Sequence, residues 1–306
     1  MPNRRQGSVR LFRFSGIDVF LHWSWFLVAV FEINARAGRY SSIGWNVLEY
    51  LALFLIVTLH EFGHALACRQ VGGRANQIVL WPLGGVAYVD PPPRPGATLW
   101  SIAAGPLVNV ALVPILFGFL MLSRSLGWAH TILNVHELVR AVFVIDVVLL
   151  TFNMLPIYPL DGGQILRSLL WFVVGRARSL MLATLIGFVG VAGLIVLAFR
   201  IGSLWFGVLS AFILLNCWAG LKQSVALLRL AKLPRRDGFA CPWCKAAPPR
   251  GNLWTCGACR TMFDIFETQA VCPYCALPFP VAQCLDCGRA HPLSNWAVPA
   301  FITAEL

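Results

Sequence analysis

Charge is scarce in this sequence. Only 12% of its 306 residues are Asp, Glu, Lys or Arg, while 58% are apolar and the mean hydropathy is +0.72. Soluble domains carry about 25% charged residues, so a soluble globular chain is excluded and a multi-span membrane protein is expected. Acidic residues are scarcer still, 13 against 24 Lys and Arg. The basic excess lies in residues 1–232, with 18 cations and 8 anions; residues 233–306 hold 6 and 5. No nucleic-acid partner is expected, because such a partner needs a basic binding surface that the C-terminal region lacks. Cysteine is nearly absent before residue 240. The two there, Cys68 and Cys217, sit in apolar runs and read as packing residues. No small-residue cleavage site follows the first apolar run, so that run is expected to stay in the protein.

Six apolar segments are long enough for a bilayer, which takes roughly 20 helical residues each. They are 18–35, 47–68, 98–122, 138–158, 179–199 and 203–228, with a shorter helix over 162–175. With the N-terminus inside, fifteen Lys and Arg fall in inside segments and five outside. Both termini are therefore expected in the cytosol, in a protein of the cell membrane. Between the second and third segments, runs 77–82 and 85–90 flank Gly84 and Gly85 and predict a β-hairpin. The fold class expected is an all-α membrane domain of about six spans over 1–232, with this small β-hairpin, joined by PRRDG to a zinc-ribbon domain over 233–306.

The stretch VTLHEFGHALACRQ (57–70) puts two histidines and a glutamate inside an apolar helix. Such groups are costly in hydrocarbon and call for a function. His60 and His64 are four residues apart, so they share a helix face and can ligate one zinc ion. Glu61 is rotated by about 100°, close enough to polarise a water without ligating the metal. Catalytic zinc takes a third protein ligand. Asp161 in NMLPIYPLDGG (153–163) is the carboxylate placed at the same depth, beside helix-breaking Pro156 and Pro159.

HEFGH at 60–64 followed by NMLPIYPLDGG at 153–163 resembles the site-2 protease family of intramembrane zinc metalloproteases. GIDVFLHWSW (16–25), LGGVAYV (83–89) and AAGPLVN (103–109) match as well, so the resemblance spans about residues 10–228. It implies a catalytic zinc on His60, His64 and Asp161, with Glu61 as base and proton shuttle. It implies that Asn153 stabilises the oxyanion or orients the substrate. It places Gly84, Gly85 and Val86 beside the active site, where a transmembrane substrate pairs as an extended strand. Asn109 either lines the site or makes a helix–helix hydrogen bond. Asp146 reads as an interior polar contact and His22 as structural.

The remaining eight cysteines form four CxxC pairs: Cys241 and Cys244, Cys256 and Cys259, Cys272 and Cys275, Cys284 and Cys287. Two pairs make one closed structural zinc site. Adjacent pairs are expected to combine, the first with the second and the third with the fourth, with a cross-braced arrangement as the alternative, over a core of Trp254, Phe263, Phe266 and Tyr274. The expected cofactors are thus three zinc ions, one catalytic and two structural. The expected partners are a transmembrane substrate, the lipid bilayer and a cytosolic adaptor on the ribbons. The alternative is a catalytically idle scaffold that recruits partners through its ribbons.

Overall fold

The computed structural model describes residues 7–36, 38–81 and 84–297. Arg4, Arg5, Leu83, the side chain of Val86 and the last nine residues of the tail lie outside the described residues. The chain divides into two compact units, Met1–Leu221 and Lys222–Leu306. The division falls ahead of the expected boundary at residue 232, inside the last long helix.

The first unit begins with a sheet. Strand β1 (Ser8–Phe14) turns through Ser15 and Gly16, at φ 48° and 73°, into β2 (Ile17–His22). Helices α1 (Ser24–Ala35) and α2 (Ile43–Gln70) carry the chain to β3 (Arg74–Trp81), which pairs parallel to β2. Strand β4 (Gly84–Asp90) returns antiparallel to β3. The order β1-β2-β3-β4 makes β4 an edge strand. Ile17 and Val19 of β2 and Ile78 and Leu80 of β3 are buried against Phe62, Ala65 and Cys68 of α2. This packing fixes the sheet beside the histidine-bearing end of α2.

The expected hairpin is therefore half of a larger sheet, and the expected first span over 18–35 is corrected. Its first residues are strand β2, and α1 has 12 residues, about 18 Å, against a hydrocarbon core of about 30 Å. A short apolar run does not distinguish a buried strand from a helix, and here one of each stands in tandem.

Helices α3 (Pro95–Ser125), α4 (Trp128–Thr131), α5 (Leu133–Asn153), α6 (Asp161–Val174), α7 (Arg176–Ile201) and α8 (Leu204–Ala231) follow. Among the described residues, four helices are long and apolar enough to cross a membrane: α2, α3, α7 and α8. The chain is an integral membrane protein. Helix α5 has 21 residues but carries Glu137, Arg140 and Asp146, and α1 is short, so four such helices stand against the six expected. Exposed Ile115, Phe119, Val189, Phe199 and Leu215 stud α3, α7 and α8, an arrangement that lipid tolerates and water penalises. Helix α3 packs on α2, α5 and α6, so three segments distant in sequence meet along it.

In the second unit, β5 (Trp254–Thr255) pairs with β6 (Met262–Phe263), and β7 (Val281–Gln283) with β8 (Ala290–Pro292). One core of Trp254, Phe263, Ile265, Phe266 and Trp296 joins both hairpins. Tyr274, expected in that core, is 72% exposed.

Candidate metal centres

Helix α2 is continuous through the histidines, so His60 and His64 face the same way. Their outer ring nitrogens are fixed by α3. His60 Nδ1 lies 2.6 Å from Asn109 Oδ1, and Asn109 Nδ2 donates to Asp146 Oδ1 at 2.6 Å. Because the amide nitrogen is used on Asp146, the oxygen must accept from His60, and His60 carries its proton on Nδ1. His64 Nδ1 lies 2.9 Å from the carbonyl of Ser101, which can only accept. In their neutral form, the one that binds a metal, both imidazoles therefore turn an unprotonated Nε2 inward.

Asp161, the first residue of α6, meets them there. Its Oδ2 is 3.0 Å from His60 Nε2 and its Oδ1 3.4 Å from His64 Nε2, while the two Nε2 atoms are 3.1 Å apart. Tetrahedral ligands about 2.0–2.1 Å from a zinc ion stand ~3.3 Å from one another. Three lone-pair donors with no proton between them repel unless a cation joins them, so the residues present fit a zinc ion. The sequence foresaw this triad but not what orients it. Asn109 is wholly buried and its amide is committed to His60 and Asp146, so of its two expected roles the helix–helix hydrogen bond is the one seen here. Ser101 acts through its backbone and leaves no signal in the sequence.

Two close approaches depend on glycine. A Cβ on Gly105 would overlap the His64 ring, and a Cβ on Gly85 would overlap the Glu61 carboxyl. Glu61 itself is buried and outside the ligand cluster; its Oε2 accepts the Ala87 N–H of β4 at 2.7 Å. Gly162 and Gly163 let α6 start against the backbone of residues 154–158. Asn153 ends α5, half-buried and without a side-chain hydrogen-bond partner among the described residues.

The tail builds two further clusters, each from four sulfurs. All four knuckles share one backbone form. The first cysteine's N–H donates to the carbonyl five residues on, and its carbonyl accepts the N–H four residues on: Ala246 and Lys245, Thr261 and Arg260, Leu277 and Ala276, Arg289 and Gly288. Lys245, Arg260, Ala276 and Gly288 all have φ between 56° and 77°, the left-handed form that closes such a turn.

The grouping departs from the adjacent pairing expected. Cys241, Cys244, Cys284 and Cys287 form one cluster, and Cys256, Cys259, Cys272 and Cys275 the other. The pairing is nested because the two ends of the tail meet: Ala240 N–H donates to the Trp296 carbonyl at 2.8 Å, and Arg235 pairs with Asp286 at 2.6 Å. Trp254 Nε1 also donates to the Gln283 carbonyl, tying the inner hairpin to the outer one. Sulfur separations of 3.5–3.8 Å are far longer than a disulfide. They match the ~3.8 Å edge of a tetrahedron with Zn–S of about 2.3 Å.

Crowding splits the thiols. The hydrogen bond from Cys284 holds Cys244 down at about 5, and the same bond pushes Cys284 up. The Thr261 hydroxyl and backbone hold Cys259 at about 6. Cys275 gains from the Leu277 backbone N–H but donates to Cys256, and ends at about 12.

Comparison with known proteins agrees with the membrane site. The model of peptidase family M50 matches residues 49–132 and 127–197. A zinc metalloprotease of Methanocaldococcus jannaschii is 36% identical over 180 residues, 59% of this chain and 50% of that protein. Stage IV sporulation protein FB of Bacillus subtilis is 34% identical over 118 residues, 38% of each chain. The chain spans about half the length, or less, of these curated relatives. Among solved structures, the site-2 protease from M. jannaschii is similar at 28% identity and a TM-score of 0.51, over 70% of this chain and 95% of that one. With HEFGH, Asp161 and Asn153 set in this helical frame, the chain belongs to peptidase family M50, the family of the site-2 proteases.

Proposed function

We propose that this chain is an intramembrane zinc endopeptidase that hydrolyses peptide bonds of transmembrane substrates near the cytosolic face. The observation that carries this reading is the convergence of His60 Nε2, His64 Nε2 and the Asp161 carboxylate beside a buried, non-ligating Glu61. His60, His64 and Asp161 would hold a zinc ion, which would supply Lewis acidity to the scissile carbonyl and to water. Glu61 takes the proton from the attacking water and passes it to the leaving amine. Asn153 offers a side-chain N–H to the developing oxyanion. Asn109 and the Ser101 carbonyl keep both rings turned inward.

The substrate enters as an extended strand along β4, at Gly84, Gly85 and Val86. A helical segment hides its carbonyls in hydrogen bonds, whereas strand addition exposes one to attack. The edge position of β4 beside Glu61 supports this route. Both termini lie in the cytosol on the positive-inside rule, in the cell membrane. The tail holds two structural zinc ions and serves as a docking module for the substrate's cytosolic segment or an adaptor. The test is cleavage of a transmembrane substrate by the purified full chain, with a chelator and with Glu61→Gln. Cleavage that persists at the wild-type rate in either overturns the reading.

A further inference from the structure

Strand β4 ends the sheet, and Glu61 meets its outer edge. The Ala87 N–H donates to Glu61 Oε2 at 2.7 Å, and the Glu61 carboxyl fills the space that a side chain at Gly85 would need. The irregularity in the β3–β4 ladder lies on β3, which takes three steps from Ala75 to Ile78 while β4 takes two from Val89 to Ala87. Alternation along β4 is therefore unbroken, and the N–H and C=O groups of Gly85, Ala87 and Val89 share the outer edge. An extended peptide that pairs with this edge needs the Ala87 N–H for one of its own carbonyls. That N–H is already bonded to the carboxylate that the reaction uses as its base. Substrate pairing and the Glu61 contact thus compete for a single donor.

We propose that the Ala87 N–H is a shared latch: it holds Glu61 against β4 in the substrate-free chain, and an extended substrate strand takes it over on binding and frees the carboxylate to face the scissile bond. The inference rests on the strand-addition reading of the site. It adds a gate to that reading, because Glu61 is released only when a strand is in register at Ala87. A folded helix, whose carbonyls are already bonded within itself, offers none at that point and leaves the latch shut. The competing arrangement is a fixed brace, in which Ala87 orients Glu61 throughout the reaction.

The two arrangements differ in binding. The probe is a fluorescein-labelled peptide of ten alternating Val and Thr residues with a Lys at each end, titrated into the full zinc-loaded chain in detergent. Glu61→Gln keeps a carbonyl oxygen that can accept from Ala87, whereas Glu61→Ala keeps none, and neither variant turns the peptide over. A latch predicts about three- to tenfold tighter binding to Glu61→Ala than to Glu61→Gln, the worth of one neutral hydrogen bond. A side chain that is merely smaller would also admit the peptide. The comparison is therefore repeated in chains that carry lactic acid at position 87, an ester without the N–H, or Ala87→Pro, which an edge strand tolerates. There the difference is expected to vanish. Equal binding to Glu61→Ala and Glu61→Gln overturns the latch, as does a difference that survives loss of the N–H. A peptide bound by no variant overturns both strand addition at β4 and the latch. Absence of cleavage by the wild-type chain sinks the protease reading and leaves the binding comparison standing.

Discussion

Asn109→Ala removes the link between a zinc-binding histidine and a buried carboxylate. In the folded chain Asn109 has no solvent access, and it accepts from His60 and donates to Asp146 at 2.6 Å each. It is the one hydrogen-bond donor to Asp146 among the described residues, since Oδ2 has no partner. Truncation leaves the His60 N–H and the Asp146 carboxylate without partners, at about 1–3 kcal/mol for each buried polar group left unsatisfied. It also frees the His60 ring to rotate or to carry its proton on the inner nitrogen. Loss of such an outer partner lowers metal affinity by about 10–100-fold, or about 1.4–2.7 kcal/mol at 1.4 kcal/mol per tenfold. The assay is zinc competition against a chromophoric chelator in the full chain, with Asp161→Ala marking which step belongs to the membrane site. Asp146→Asn is the internal control. Its side-chain oxygen can still accept from Asn109, so it is expected to keep most of the affinity. Zinc affinity of a folded Asn109→Ala chain within twofold of wild type would refute the proposed role of Asn109 as the group that holds the His60 tautomer.

Glu61→Gln is expected to abolish cleavage while the membrane zinc stays bound, because Glu61 lies outside the ligand cluster; co-loss of metal and activity by elemental analysis would contradict this. Wild-type chain purified with ample zinc should carry three ions. Cys241→Ser with Cys284→Ser should lose one, whereas Cys241→Ser with Cys256→Ser should lose two; the reverse pattern would restore the adjacent pairing. In metal-stripped protein at pH 6, iodoacetamide should label Cys259 well before Cys275 although both are exposed. Cys259, held at about 6, is about half thiolate there, and Cys275, raised to about 12, is not; equal labelling by mass spectrometry would count against the hydrogen-bond assignment. Removing residues 233–306 should leave the membrane zinc in place, since its ligands all precede residue 162. It should slow cleavage of a full-length substrate more than of one lacking its cytosolic segment, and equal effects would leave the tail without a docking role.

Local pattern determined much about this protein. The scarcity of charge made it a membrane chain, the four-residue spacing of His60 and His64 fixed a shared helix face, and four CxxC repeats fixed four turns. These features depend only on helix periodicity, turn chemistry and solvation, which act over a few residues. Tertiary structure decided what depends on meetings between distant segments. The sheet could not be read because β2 and α1 are both apolar and adjacent, and only pairing with β3 separates them. The nested sulfur clusters follow from the contact of residues 239–240 with 296–297 at the two ends of the tail, which no spacing between cysteines reveals. Asn109, Asp146 and Ser101 acquired their roles because α3 is held close to both α2 and α5, and a hydrogen bond to a ring nitrogen exists only once that packing has brought donor and acceptor together.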